Sequence, residues 1–545
     1  MPDSSLSFAL VGAVAAGLTF AAATNAEPSV SLDAEMTTFN PLPQHLTDEE
    51  RAIVEESPLH LLRGSTPPPT GPVWCPPEYA PVDGVLFGWS AGLPISWRTI
   101  ISQLSNHITN TGDADVHVFV TSSANQNDAF TRISNAGADM SRVFFHIRPL
   151  DSIWMRDYGP RYIYEGQVRG IVDHTYNRPR LNDNNIPGHF SDIMGHEYYL
   201  IPLVHGGGNY HVGEDRGRTT TLINDENPGL TQSQIYNYWL DYQNIDTAFY
   251  QPFPTFVDST QHIDMWMQVF GENEVMISEW PNNPGSIQAN ICDSTAAAMA
   301  AEGYTVHRVP ARSVSGTHYT YTNVVICNDL IIIPSYTNAT VSPHNSQALA
   351  AWQAAAPDKT VVQVNGQAIV TASGVFHCIM MHMPAHLGGD NPTAYLRTPR
   401  EFDTYNPGDN VLITWSTDDR EGVQNVDLLL SLDGGATYGT TIATAIPDTG
   451  AFNWDVPDIY TARGRIQVVA RNGDGLTGAD TGDVDFTILG SCPGDLTGSG
   501  NVGSADLSVL LGDWGSEFSV ADMDGNGSVG SSDLAALLGA WGPCP

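Results

Sequence analysis

A chain of 545 residues with 22 Lys+Arg against 60 Asp+Glu carries a formal charge of -38, which repels nucleic acid and anionic lipid and argues against both as partners. Charged residues are only 15% of the chain while Gly and Pro are plentiful, 51 and 36, so the acidity reflects scarce Lys and Arg, and the length predicts about two to four folded domains. Six cysteines, Cys75, Cys292, Cys327, Cys378, Cys492 and Cys544, are too few for disulfides to build the main core.

The apolar stretch Phe8 to Ala23, followed by the small residues Thr24, Asn25 and Ala26, is too short to span a bilayer and predicts a signal peptide over residues 1–26, hence a secreted or cell-surface protein with no membrane span. Residues 27–74 form an acidic, Pro-containing linker or pro-region, in which Thr47-Asp48-Glu49-Glu50 reads as the capped start of one short helix. From Cys75 onward short apolar runs (Val116 to Val120, Val143 to Ile147, Val324 to Pro334) alternate with helical segments such as Ser294 to Glu302, which predicts an α/β domain over 75–390. Between Thr393 and Leu489 the texture changes to alternating strands split by Gly, Asp and Asn (Val411 to Trp415, Val426 to Ser431, Ile466 to Ala470, Val484 to Ile488), the pattern of an Ig-like antiparallel β-sandwich over 391–490. The last segment, 491–545, repeats itself, with Leu507 to Gly515 matching Leu534 to Gly542.

Each copy of the repeat follows a loop with oxygen side chains in the EF-hand alternation. The second loop offers Asp522, Asp524, Asn526 and Asp533 around the turn glycine Gly527. The first, with Asp495 and Asp506, puts Thr497 and Ser499 where the second has Asp524 and Asn526, so its site is expected to be weaker. This tail resembles a type I dockerin, which implies Ca2+ in a paired EF-hand-like helical unit and a cohesin-like or cell-surface partner. Cys492 and Cys544 flank the pair and are placed to bridge its ends.

Four separated motifs carry chemistry. Trp154-Met155-Arg156-Asp157 follows an apolar run, at a strand end where functional residues gather. His205-Gly206-Gly207-Gly208-Asn209 permits close backbone approach. His262-Ile263-Asp264 alternates with period two, which predicts a strand with imidazole and carboxylate on one side. Ser373-Gly374-Val375-Phe376-His377-Cys378 places a cysteine after a turn. Together they supply what hydrolysis of a guanidinium needs: a nucleophile, carboxylates to hold the flat cation, and an acid for the departing ammonia.

In this order the motifs resemble the bacterial branch of the guanidino-group-modifying enzymes, the agmatine deiminases and bacterial peptidylarginine deiminases, over about Cys75 to Pro384. The resemblance implies a pseudo-fivefold α/β propeller, no catalytic cofactor, Asp157 and Asp264 as guanidinium-binding carboxylates, His262 as general acid and base, Cys378 as nucleophile, Asn323 as a further active-site residue and Trp154 as a substrate-packing ring. Arg178 and Arg180, in the polar stretch His174 to Arg180, match the arginines that hold a substrate α-carboxylate, which implies arginine-containing peptides, C-terminal arginine above all, as partners. Agmatine deimination is the alternative. Two further readings compete: a metallohydrolase built from His174, His205, His211, His262, His377 and His382, and a calcium-stiffened extracellular scaffold with a vestigial enzyme domain.

Overall fold

Five times around the first two-thirds of the chain one order of elements recurs: an antiparallel hairpin, a helix, and a third strand parallel to the second. Parallel neighbours require such a crossover, and the helix covers the sheet it crosses. In the computed structural model, which describes residues 41–59, 64–90, 92–399, 403–497, 499–517 and 519–545, the first unit pairs Arg161–Glu165 with Val168–Tyr176 and returns through the helix Ile186–Met194 to Glu197–His205. The second runs Tyr210–Val212, Gly217–Thr220, helix Gln232–Gln243, Thr247–Tyr250. The third runs Met267–Gly271, Glu274–Glu279, helix Ile287–Ala301, Thr305–Pro310, and the fourth Val325–Cys327, Leu330–Ser335, helix Asn345–Ala355, Thr360–Asn365.

The fifth unit joins the two ends of this region. Met380–Pro384 pairs antiparallel with Val82–Trp89, the helix Ile95–Asn110 follows, and Asp115–Val120 lies parallel to Val82–Trp89, with Val143–Ile147 added outside. The ring is therefore closed by a pairing between segments almost 300 residues apart. Its strands read as continuous apolar runs because helix and neighbouring unit bury both faces; Val85, Leu86, Phe87, Val116, Val118 and Phe119 all belong to one core cluster. The run Val324 to Pro334 is two strands joined at Asn328, which takes the positive φ of 51° that the tight reversal needs.

The sandwich comprises a sheet of Thr393–Thr398, Asn410–Asp418 and Ala451–Asp455 facing a larger sheet centred on Val423–Ser431 and Tyr460–Asn472. Ile413, Trp415, Leu428, Val468 and Phe486 fill the space between them. Its pairing is antiparallel except where Thr404–Tyr405 runs parallel to Phe486–Leu489. It is fastened to the ring by Arg169, whose Nε and Nη2 donate to Asp418 at 2.7 and 3.1 Å with both side chains buried. The tail folds as two helices, Ser504–Gly512 and Ser531–Gly539, around Val502, Leu510, Val529 and Leu537, and Cys492 is bonded to Cys544. The expected signal peptide lies outside the described residues.

Candidate active site

Every unit of the ring enters its hairpin through a short turn, and these lead-in turns carry the site. Met155–Tyr158 precedes Arg161–Glu165, Gly207–Asn209 precedes Tyr210–Val212, Ile263–Met265 precedes Met267–Gly271, Asn323 precedes Val325–Cys327, and His377–Ile379 precedes Met380–Pro384. Motifs far apart in sequence meet because each occupies the same place in its own unit. The His262-Ile263-Asp264 segment is one of these turns and not the strand expected from its alternation: the Trp266 N–H closes onto the Ile263 carbonyl, and His262 is the residue before the turn.

The glycines measure the convergence. A Cβ on Gly208 would stand 2.8 Å from His262 Nδ1, 2.9 Å from Asp157 Oδ1 and 3.0 Å from Asp264 Oδ2; only a bare backbone fits among the three, and its N–H donates to Asp157 Oδ1 at 3.1 Å. A Cβ on Gly374 would lie 2.6 Å from the Trp154 ring and 3.0 Å from Cys378 Cβ. Asn323 organises the turn that carries Cys378: its Oδ1 accepts from the His377 and Cys378 N–H groups at 3.0 and 3.4 Å, and its Nδ2 donates to Asp264 Oδ2 at 3.1 Å and lies 3.0 Å from Cys378 Sγ. Asp157, His262, Asp264, Asn323 and Cys378 are all at most 1% exposed.

Asp264 Oδ1 and His262 Nε2, both in this chamber, have no hydrogen-bond partner among the described residues. A buried carboxylate oxygen left open is costly unless a ligand completes it, and a guanidinium N–H is a fitting donor. Burial, reinforced by the negative charges of Asp264 and Asp157, pushes the Cys378 thiol well above its ordinary pKa. Burial also lowers His262, against the opposing pull of Asp157 and Asp264. At neutral pH the resting chamber holds Cys378 as a thiol and His262 as a neutral imidazole.

Behind the chamber sits a relay that sequence reasoning missed. His377 is wedged between Asp264 Oδ2 and Glu78 Oε2, 2.7 Å from each, and Glu78 also receives Arg156 Nη1 at 3.1 Å. Burial and Arg156 oppose a charge on His377, but the two carboxylates outweigh them and hold its pKa above the ordinary value. The available signal for Glu78 was an acid in the Pro76-Pro77-Glu78 entry to the domain. The six histidines of the metallohydrolase reading do not converge as a set: His174 and His205 stack on one another, His262 faces Asp157, His382 bonds the Ile326 carbonyl, and His211 and His377 meet at Glu78, with one ligand atom of each of these three residues within 4.8 Å of the others.

Arg178 and Arg180, expected in a polar loop, are buried and engaged by residues 41–59, a stretch expected to be linker. Arg180 grips Glu50 through Nε and Nη2 at 2.7 and 3.1 Å, and Arg178 Nε donates to the Gln44 carbonyl at 2.9 Å. The helix Asp48–Glu56 carries the expected capping box between Thr47 and Glu50. Trp154 Nε1 donates to the Leu42 carbonyl at 3.0 Å.

In the tail, ligand oxygens of Asp522, Asp524 and Asp533 lie within 4.8 Å of one another. Burial and the neighbouring Asp533 raise the Asp522 pKa, a repulsion that a hard cation relieves. The Asn526 N–H donates to Asp522 and Asp524, and its Oδ1 accepts from Ser528. In the first loop Asp506 is occupied by Thr497 and Gly503, and Asp495 by Ser499 and Gly500. The second loop is occupied in the same way, Asp533 accepting from the Met523, Asp524 and Gly530 N–H groups and Asp522 from that of Gly527; what sets it apart is a third carboxylate, Asp524.

Residues 74–384 match the model of the Porphyromonas-type peptidyl-arginine deiminase family. The agmatine deiminase of Pseudomonas fluorescens is 27% identical over 282 residues, 43% of this chain and 75% of that one. Among solved structures, the agmatine deiminase of Enterococcus faecalis superposes with a TM-score of 0.51 at 19% identity over 59% of this chain and all of the other. An agmatine deiminase of C. jejuni gives 0.50 at 16% identity over 58% and 97%. The fold of the ring is that of these enzymes.

Proposed function

Because the chain belongs to the Porphyromonas-type peptidyl-arginine deiminase family, whose members hydrolyse guanidino C–N bonds without a catalytic cofactor, we propose that it converts a peptide-borne arginine, preferentially a C-terminal one, to citrulline and ammonia through a covalent adduct on Cys378. The observation that carries this reading is the meeting of Asp157, His262 and Asp264 around Gly208 with Asp264 Oδ1 left open.

A guanidinium held between Asp157 and Asp264 brings a positive charge to the carboxylates that suppress thiol ionisation, so binding favours proton transfer from Cys378 to His262. The thiolate attacks the guanidinium carbon, an S–C bond forms, and His262 returns the proton to the departing amino group, which leaves as ammonia. His262 then takes a proton from water, hydroxide adds to the same carbon, the C–S bond breaks as the ureido C=O forms, the hydroxyl proton returns Cys378 to the thiol, and His262 gives its proton to solvent, where the released ammonia takes it up.

The peptide preference is supported by Arg180, which already holds a carboxylate, that of Glu50, by two hydrogen bonds. Agmatine is the second reading, favoured by the names of the relatives and by Glu226, which accepts from Asn177 beside Arg178. A peptide ending in arginine, the same peptide amidated, and agmatine distinguish them. The free carboxylate is expected to raise kcat/KM by about tenfold to a hundredfold over the amide, the scale of one charge-assisted contact. Faster turnover of agmatine than of either peptide would retire the peptide assignment and leave the chemistry.

Calcium at the second tail loop belongs to the same reading, and the Cys492–Cys544 bond suits the oxidising compartment expected from the apolar leader. Titration of the full chain with CaCl2 after chelation is expected to raise the melting temperature of a tail-localised transition and to bind about one ion tightly. Loss of that shift in Asp533→Asn checks the location; a shift indifferent to the substitution rules this loop out.

A further inference from the structure

Residues 42–50 lie over Cys378 as a ligand would. Their main chain is held at successive carbonyls: Leu42 by Trp154 Nε1, Pro43 by Arg180 Nη2 at 2.7 Å, Gln44 by Arg178 Nε. The Gln44 N–H in turn donates to the Ala372 carbonyl at 3.2 Å, in the turn before the nucleophile. Six residues on, Glu50 closes the attachment on Arg180.

The Gln44 side chain enters the catalytic chamber. Its Nε2 donates to Asp157 Oδ2 at 2.9 Å and lies 3.4 Å from His262 Nδ1. Its Oε1, buried without a hydrogen bond, borders the same Gly374 position as Cys378 Cβ. A carboxamide is a planar sp2 carbon bearing an NH2 group, so it presents to Asp157 half of what a guanidinium presents, without the charge. Gln44 is fully buried, as is Cys378.

We propose that the cleft over Cys378 is a polypeptide-binding groove whose resident occupant is the chain's own segment 42–50, with Gln44 as a pseudosubstrate in the guanidinium subsite. This deepens the deiminase reading and rests on it for the identity of that subsite. The substrate it defines is a peptide running along Leu42 and Pro43, its arginine at position 44. The Gln44 carbonyl on Arg178 stands where the α-carboxylate of a C-terminal arginine places an oxygen. Such a peptide enters only when the segment leaves, so the intact chain is a self-blocked form. Release acts at the connection to the ring, where Gly64 and Ser65 are exposed.

The test uses the full chain in three forms: unaltered, carrying Gln44→Ala, and carrying a specific protease site inserted after Gly64 and cut after folding. The probe is iodoacetamide, with alkylation of Cys378 followed by peptide mass mapping and the buried Cys75, Cys292 and Cys327 as internal references. Alkylation of Cys378 is expected to quicken in the cut and Gln44→Ala forms on the order of tenfold, the scale of one lost hydrogen bond to a charged group. Equal rates in all three forms overturn the proposal, whatever the rate. Turnover is read separately on the cut chain. Faster labelling with no ureido product from any guanidine removes the deiminase reading and keeps the groove; product formed at one rate before and after cutting, with equal labelling, does the reverse.

Discussion

Cys378→Ala is expected to lower ureido-product formation by at least about four orders of magnitude while leaving the fold and substrate binding in place, because the attacking group is removed outright and no neighbour can replace it. The nearest side chains are Asn323, an amide, and Asp264, a carboxylate already committed to His377 and Asn323. Neither is a nucleophile of comparable strength. Asn323 keeps its bonds to Asp264 and to the His377 N–H after the substitution, so the chamber holds its shape. The loss is about 1 kcal/mol of packing, the scale of one small buried group, and the melting temperature moves little. The measurement is the initial rate of ureido product on the cut chain, with substrate affinity by calorimetry. Wild-type product from Cys378→Ala would end the covalent mechanism.

That the motif carrying Cys378 was legible in the sequence and the groups around it were not has a physical reason. Apolar runs such as Val116 to Val120 and Val143 to Ile147 announce strands, and both are strands; the first, beginning one residue early at Asp115, is buried on both faces, and the second lies at the sheet edge with Phe144 and Ile147 exposed. The motifs at Trp154, Gly206, His262 and Gly374 announce a site because each breaks the surrounding apolar texture with groups that need partners. The ring itself depends on the pairing of Met380–Pro384 with Val82–Trp89, a long-range contact with no local signature. The period-two reading of His262 and Asp264 failed because three residues of a tight turn can mimic alternation. Glu78 went unread because its partners, Arg156 and His377, come from opposite ends of the ring. The same limit hid Gln44: the capping box at Thr47 is local and was legible, whereas the hydrogen bond from Gln44 to Asp157 spans 113 residues.

Asp264→Asn is expected to separate two properties that a merely damaged site would lose together. The substitution keeps the size of the side chain but removes its charge and turns one oxygen into a donor. If the new NH2 takes the Oδ2 position it meets Asn323 Nδ2, itself a donor; if it takes the Oδ1 position it faces the incoming guanidinium, which has only donors to offer. Either way turnover falls, by about three orders of magnitude on the scale of a preorganised charged contact in a dry site. The thiol responds in the opposite direction. Asp264 is the largest charge among the causes that raise the Cys378 pKa, after burial itself. Without it the thiolate forms at lower pH, and the curve of Cys378 alkylation against pH, taken on the cut chain, shifts toward acid. His377 loses one of the two carboxylates that hold its pKa up, so its proton also leaves at lower pH and the relay to Glu78 becomes neutral sooner. A more reactive cysteine in a nearly inactive enzyme is the signature of a carboxylate that binds the substrate's charge and restrains the nucleophile until that charge arrives. Turnover within about threefold of wild type, or an alkylation curve that does not move, would mean that Asp264 only braces the turn.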